Sequence, residues 1–154
     1  MGLPFGRKRG SGNLIGAHAA TVEQILKNIG VDPAAARMKT DRDFGWSFQR
    51  GSAIIEVYVT QQAGAGNLQV LSPLMHLPGS ALLPLYRHLL ELNLQLTNAA
   101  IGVYQDVVYV YSERPLEGMD ASEANGVITL VARYADELDN KLVTEFGGRL
   151  YSQV

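Results

Sequence analysis

The sequence predicts an α+β domain in which helices pack on an antiparallel sheet, in the order helix, three strands, helix, two strands, helix. Three observations support this prediction. Apolar residues recur at spacings of three and four in three segments, apolar and polar residues alternate in the segments between them, and the length of 154 residues is typical of one domain. The hydrophobic fraction of 47% and the charged fraction of 18% are those of an ordinary globular protein.

The first half of the chain contains one helix and three strands of this order. The helix is predicted over residues 20–29, and the strands over residues 44–48, 53–60 and 68–71. Gly30 is a natural helix stop, and Pro73 and Pro78 are expected to close the region of the third strand. Trp46 shares a strand face with two phenylalanines. Nucleic-acid bases could stack on these rings, but no lysine or arginine is interleaved with them, so we expect core or interface packing.

Residues 80–96 are predicted to form a second helix with two apolar stripes. The first stripe consists of five leucines, Leu82, Leu85, Leu89, Leu92 and Leu96. The neighbouring stripe consists of Leu83, Tyr86, Leu90 and Leu94. Together they cover more than the ~100° arc of an ordinary surface helix, so this helix needs two packing partners. One partner is the sheet, and the other is a further element or a second copy of the chain. We expect the first stripe, or its neighbour, to form a dimer interface.

Residues 100–111 are predicted to form a hairpin with a two-residue turn at Gln105-Asp106. Its pairs are Val103 with Val108 and Ile101 with Val110 on an aliphatic face, and Tyr104 with Val107, Gly102 with Tyr109 and Ala100 with Tyr111 on the other. The helices can cover the aliphatic face, whereas the tyrosine face is either partly exposed to solvent or contacts a partner. Tyr104, Tyr109 and Tyr111 are therefore the candidates for a partner-binding surface.

The last helix is predicted over residues 121–146. Asp120 and Glu123 match a capping box at its start, and the glycine pair after residue 146 is a strong stop. Its acidic residues are expected on a solvated face: Asp136, Glu137 and Asp139.

The composition excludes several classes of site. There is no cysteine, which excludes disulfides, thiol catalysis and zinc–thiolate sites. His18, His76 and His88 have no partner at a metal-ligand spacing. The sequence contains no nucleophile elbow, phosphate loop or dinucleotide loop. We therefore expect no catalytic residue, no metal, no cofactor and no enzymatic activity.

The charge is unevenly distributed along the chain. The net charge is −2, but the first twenty residues hold Arg7, Lys8 and Arg9 without an acid, and the remainder holds ten basic and fifteen acidic residues. We expect a flexible, basic, glycine-rich arm over residues 1–19 and a single domain over residues 20–154. The acidic domain makes binding to nucleic acid unlikely. No apolar run approaches the ~20 residues of a membrane helix, and we expect no membrane partner and a cytoplasmic location.

Residues 89–120, LLELNLQLTNAAIGVYQDVVYVYSERPLEGMD, carry the most specific motifs. These are a Leu-Leu-x-x-Asn end to the middle helix, at Leu89, Leu90 and Asn93, and a Glu-x-Pro-Leu segment after the hairpin, at Glu113, Pro115 and Leu116. Outside this stretch, the last helix carries a Tyr-Ala-Asp triplet at residues 134–136. With this element order, residues 22–146 resemble the YbjN-like proteins and the CesT-like class I type III secretion chaperones.

This resemblance implies a type III secretion chaperone-like fold. It also implies a homodimer that binds an unidentified protein client and catalyses no reaction. Chaperones of this kind hold an extended segment against apolar patches and sheet edges. We therefore expect a chaperone-like or adaptor module. The alternative is a regulatory or nucleic-acid-associated accessory protein that uses the basic arm.

Overall fold

A computed structural model of the chain describes residues 10–62 and 64–152. Its elements, in chain order, are α1 (Gly10–Asn28), α2 (Pro33–Ala36), β1 (Phe44–Arg50), β2 (Ala53–Gln62), β3 (Ala65–His76), α3 (Leu82–Asn93), β4 (Ala100–Tyr104), β5 (Val107–Pro115), α4 (Ala121–Phe146) and β6 (Arg149–Leu150). The predicted α+β class and the order of the long elements are confirmed. Two short elements complete the order: α2 contacts β1, and β6 pairs with β3.

The strands form one antiparallel sheet in the order β1-β2-β3-β5-β4, with β6 paired to the end of β3. Because side chains alternate along a strand, one face carries Val57, Val70 and Val110, which are fully buried. The three long helices pack against this inner face. The opposite face, called the outer face below, has no helix on it in the described part of the chain. Glu56 on this face is partly exposed, and Tyr111 is exposed.

α1 begins ten residues earlier than the sequence predicts. Its buried stripe starts inside the predicted arm and consists of Ile15, Ala19, Val22 and Leu26. The glycines of this segment disfavour a helix, but burial of the stripe against α4 and β2 outweighs their low propensity. The expectation of a flexible arm over residues 1–19 is therefore corrected for residues 10–19, which are helical. Residues 1–9, with the basic cluster, lie outside the described residues.

α3 is oriented so that the first leucine stripe faces its own sheet. Leu85 is 0% and Leu89 is 4% exposed, and both belong to the core. Leu92 and Leu96 pack against this core and Leu82 is half-buried. The expectation that this stripe forms a dimer interface is corrected for Leu85 and Leu89, because neither can reach a second chain while α3 stays on the sheet.

β3 continues beyond its predicted end. Pro73 lies within the strand rather than closing it, and the register with β5 shifts between Pro73 and Met75. A bulge tolerates proline because the ladder is already interrupted there. The strand therefore extends to His76, where it pairs with β6.

The β4–β5 hairpin has the predicted register, pair by pair. Gln105 and Asp106 have φ values of 47° and 61°, which are the left-handed values of a type I′ turn. Val108 and Val110 are fully buried on the inner face, so the helices cover the aliphatic side of the hairpin. Val103, near the turn, is 42% exposed.

Polar contacts that the sequence does not predict attach α4 to the β1–β2 turn. The capping box at the start of α4 is present, as predicted. Further along, Asp139 is 2% exposed and accepts a hydrogen bond of 2.6 Å from Ser52 Oγ. Asp136 accepts one of 3.2 Å from the Ser52 backbone N–H. The prediction that Asp139 lies on a solvated face is wrong, because the turn supplies a donor to its buried carboxylate.

Gly51→Ala is expected to destabilise the protein more than Gly30→Ala. Both glycines have positive φ, 58° and 86°, so each alanine introduces about 1 kcal/mol of backbone strain. A Cβ on Gly51 would also overlap the Asp136 carboxylate, whereas a Cβ on Gly30 meets nothing within 4 Å. Displacement of Asp136 should cost a further ~1–2 kcal/mol through lost hydrogen bonds. Urea unfolding followed by circular dichroism measures both variants, and equal losses would contradict this contact.

Candidate functional site

The outer face of the sheet contains a groove that extends over several strands. Eight residues line it, and they define the tyrosine groove: Arg42, Glu56, Leu71, Gly102, Val103, Tyr104, Tyr109 and Tyr111. Its volume is about 350 Å³. The strand register explains why these residues meet. Glu56 pairs with Leu71, and Leu71 pairs with Tyr111, so one row across the sheet holds a carboxylate, an aliphatic side chain and a phenol.

Gly102 leaves a depression between the three tyrosines of the hairpin. It pairs with Tyr109, and a Cβ placed on it would meet no atom within 4 Å. Tyr104 is 66% and Tyr111 is 44% exposed, whereas Tyr109 is partly buried. The structure therefore brings the three predicted surface tyrosines together around one open space.

On the β2 side of the groove, the lining residue Glu56 is hydrogen-bonded to Tyr58. The Tyr58 hydroxyl donates to Glu56 Oε2 at 3.2 Å. Burial, together with the Glu56 charge and this hydrogen bond, raises the pKa of Tyr58 to about 12. The guanidinium of Arg42 lies 4.0 Å from the centre of the Tyr58 ring and donates to Gln69 Oε1 at 3.1 Å. Arg42 therefore packs on Tyr58 and lines the groove beside it.

Tyr109 provides the most buried of the hairpin phenols. Burial raises the pKa of Tyr109, and the nearby Tyr151, Glu56 and Tyr104 contribute in the same direction. The phenol is neutral at physiological pH. It therefore presents an apolar ring with a polar end, which suits a surface that is partly wet and partly in contact with another molecule.

Some backbone groups at the free edges of β1 and β4, the outermost strands of the sheet, already make hydrogen bonds to other parts of the chain. On β4, the Asn93 side chain accepts a hydrogen bond of 2.6 Å from the Ile101 N–H and donates one of 3.2 Å to the Ile101 carbonyl. On β1, the Met38 N–H donates to the Gly45 carbonyl at 2.9 Å. A strand added at either position would have to displace these contacts. The outer face is therefore more accessible to a partner than the edges are at these points.

α3 carries a second exposed apolar surface. Three leucines of the neighbouring stripe are exposed: Leu83 by 79%, Leu90 by 69% and Leu94 by 90%. These three residues define the leucine ridge. At roughly 100° per residue they lie on the side of the helix opposite to Leu85 and Leu89. The leucine ridge therefore faces away from the sheet.

The described residues show packing roles for other candidate groups. Trp46 is completely buried in the core, as expected. His76 stacks on Tyr151 with ring centres 5.3 Å apart, and His88 packs on Phe146 at 5.0 Å. Within residues 10–62 and 64–152, no three histidine or acidic side chains are grouped to hold a metal ion. Over the same ranges, no helix has both the length and the apolar character needed to span a bilayer.

Five groove residues were not among the sequence candidates for a partner-binding surface: Arg42, Glu56, Leu71, Gly102 and Val103. The alternation of β2 does assign Glu56 to the opposite face from Val57. However, its proximity to the tyrosines follows from the placement of β3 between β2 and β5. The sequence gives no direct signal for that strand order.

Glu56→Gln is expected to lower the pKa of Tyr58 from about 12 towards 10. The substitution removes the neighbouring charge, but burial, the largest cause, remains, so the pKa should stay above 10. The raised pKa of Tyr58 also makes the stability of the folded protein depend on pH. The folded phenol keeps its proton above pH 10, where the unfolded phenol loses it. Its contribution to the free energy of unfolding is therefore fully present below pH 10 and is lost as the pH rises towards 12. The ¹³Cζ shift of Tyr58, assigned with Tyr58→Phe, follows this titration, and an unchanged pKa in Glu56→Gln would contradict the contact.

Several solved structures share this fold at low sequence identity. A chain of the ExsC–ExsE complex aligns with a TM-score of 0.63 and 12% identity, over 84% of this chain and 96% of that chain. A chain of the HopA1–SchA chaperone–effector complex gives 0.53 and 11%, over 82% and 96%. The Yersinia pestis type III secretion chaperone SycH complex, with a fragment of YscM2, gives 0.51 and 15%, over 82% and 98%. No curated protein matches the sequence significantly.

The sequence itself matches a protein family over most of its length. Residues 17–154 match TY-Chap1, described as T3SS (YopN, CesT) and YbjN peptide-binding chaperone 1. This match agrees with the resemblance carried by residues 89–120 and with the similarity of the folds. The chain therefore belongs to the TY-Chap1 family of peptide-binding chaperones.

Proposed function

We propose that this protein is a non-enzymatic chaperone or adaptor that binds an extended segment of a client protein and works as a homodimer. The observation that carries the proposal is the tyrosine groove on the uncovered outer face of the sheet. Half-exposed aromatic rings around an open depression supply contact area at a low cost in side-chain entropy. Membership of a peptide-binding family supports this role, as do similar folds in a chaperone–effector complex.

A polypeptide fits the outer face better than a nucleic acid does. Glu56 lines the groove, and Glu113 follows Tyr111 on the same face of β5. These carboxylates repel phosphate groups. An extended peptide can instead place alternate side chains in the depression above Gly102 and against Leu71.

The leucine ridge is the proposed homodimer interface. Single exposed leucines are ordinary, but three of them on one side of a helix favour a contact surface. Two copies of α3 that pack about a two-fold axis would bury both ridges against each other. The interface would then use the neighbouring stripe of the sequence analysis rather than Leu85 and Leu89.

Leu90→Glu is expected to convert a dimer into a monomer at micromolar concentration. The substitution places a charge at the centre of the ridge, where it would be buried without a partner. Gln95→Glu is the matched control, because it adds the same charge at an exposed position close to the ridge. Light scattering coupled to size-exclusion chromatography gives the mass of each, and circular dichroism checks the fold. A monomeric wild-type protein would refute the dimer proposal.

Tyr111→Glu is expected to weaken client-segment binding at least tenfold, because it removes an aromatic wall and adds a charge to the groove. Peptides selected from a random 12-residue display library on the wild-type protein serve as probes, with fluorescence polarisation as the readout. Asn125→Glu, at an exposed position of α4, is the control and should bind as the wild type does. Equal loss in both variants, or no loss in either, would place the binding site elsewhere.

A further inference from the structure

Glu56 is an acidic group of the tyrosine groove that makes no ion pair within 4.0 Å in the described residues. The ion pairs of residues 10–62 and 64–152 are Arg37 with Glu23, Arg87 with Glu91 and Arg114 with Glu123. The hydrogen bond that Glu56 accepts from the Tyr58 hydroxyl uses one of the roughly four lone-pair sites of a carboxylate. The remaining capacity is available to a ligand in the groove.

The nearby cation, Arg42, is engaged with other groups. Its guanidinium lies over the Tyr58 ring and donates to Gln69, and it makes no ion pair with Glu56 within 4.0 Å. A second carboxylate, Glu113, follows Tyr111 on the same face and pairs across the strands with Gln69. The outer face around the groove therefore has an excess of negative charge.

The walls of the groove suit a cation with an apolar stem. The faces of tyrosine rings attract a positive charge within about 6 Å of the ring centre. Tyr104, Tyr109 and Tyr111 surround the space above Gly102, and Leu71 adds an aliphatic surface beside Glu56. Lysine and arginine combine a methylene stem, which packs on apolar surface, with a charged end that needs an acceptor.

We propose that the tyrosine groove selects a lysine or arginine side chain of an extended client segment, whose stem packs on Leu71 and the tyrosine rings and whose charged end contacts Glu56. This inference rests on the proposed function and adds the chemistry of the client at one position. Charge complementarity favours this occupant over an acidic or a wholly apolar segment, both of which would leave the groove carboxylate unpaired.

The test uses the full chain and peptides selected from a random 12-residue display library. For each peptide that Gly102→Val weakens, the basic residues are replaced one at a time by norleucine, which keeps the stem and removes the charge. In the wild-type protein, one replacement is expected to weaken binding about tenfold, and this difference should shrink as salt is raised. The same replacement should change binding to Glu56→Gln less than about twofold, because the acceptor charge is gone.

Three further variants separate the groove from the rest of the outer face. Glu113→Gln is the matched control, since it removes the same charge outside the groove and should keep most of the preference for lysine over norleucine. Gly102→Val fills the depression and should weaken all groove-binding peptides, whatever their charge. Glu56→Lys should reverse the preference, so that a peptide with glutamate at the selected position binds better than its lysine form.

The possible outcomes distinguish this inference from the proposed function. Peptides that depend on Tyr111 and Gly102 but bind equally with lysine and norleucine would overturn the cation proposal and leave client binding intact. Peptides that none of these variants affects would overturn the groove itself as the binding site. A basic preference that survives Glu56→Gln and disappears in Glu113→Gln would assign the cation to the other carboxylate and refute the contact proposed here.

Discussion

The packing of all three long helices on one face of the sheet is the constraint on which the rest of the structure depends. α4 contacts β2, β3, β5 and β6, and α1 packs beside it, so the inner side chains of the central strands are sealed. The described chain has no helix left for the outer face. Residues there must therefore tolerate water, and tyrosine does so because its ring is apolar and its hydroxyl is polar. The tyrosine groove is a consequence of this one-sided architecture.

Much of the architecture could be predicted because local pattern and tertiary packing agree. The hairpin is the clearest case: the alternation of valine and tyrosine, with small residues opposite large ones, determines the register around Gln105-Asp106. The first helix shows the limit of this reasoning. Its first turns are rich in glycine, and the stripe that supports them includes Ile15 and Ala19, inside the segment predicted to be an arm. Asp139 shows another limit, since its burial depends on Ser52, which is distant in sequence.

The candidate surfaces could be predicted only in part, because their composition depends on contacts between distant segments. The sequence identifies two apolar stripes on α3 but gives them nearly equal weight. Asn93 distinguishes the inward stripe from the outward one. It lies four residues after Leu89 on the same side of the helix, and its hydrogen bonds to Ile101 fix that side against the edge of the sheet. A polar residue in line with one stripe, followed by a strand, is a signal that could have identified the inward side.

The two exposed surfaces lie on opposite sides of the molecule, and this separation bears on how a homodimer would work. The leucine ridge faces away from the inner side of the sheet, whereas the tyrosine groove opens on the outer face. A dimer formed through the ridges would therefore leave both grooves free. One client chain that reached both grooves would gain affinity from an intramolecular second contact, at an effective concentration set by the segment between its two anchors. Modest affinity in each groove would then suffice to hold a long unfolded segment, and release would proceed stepwise, with the second contact opening before the first re-forms.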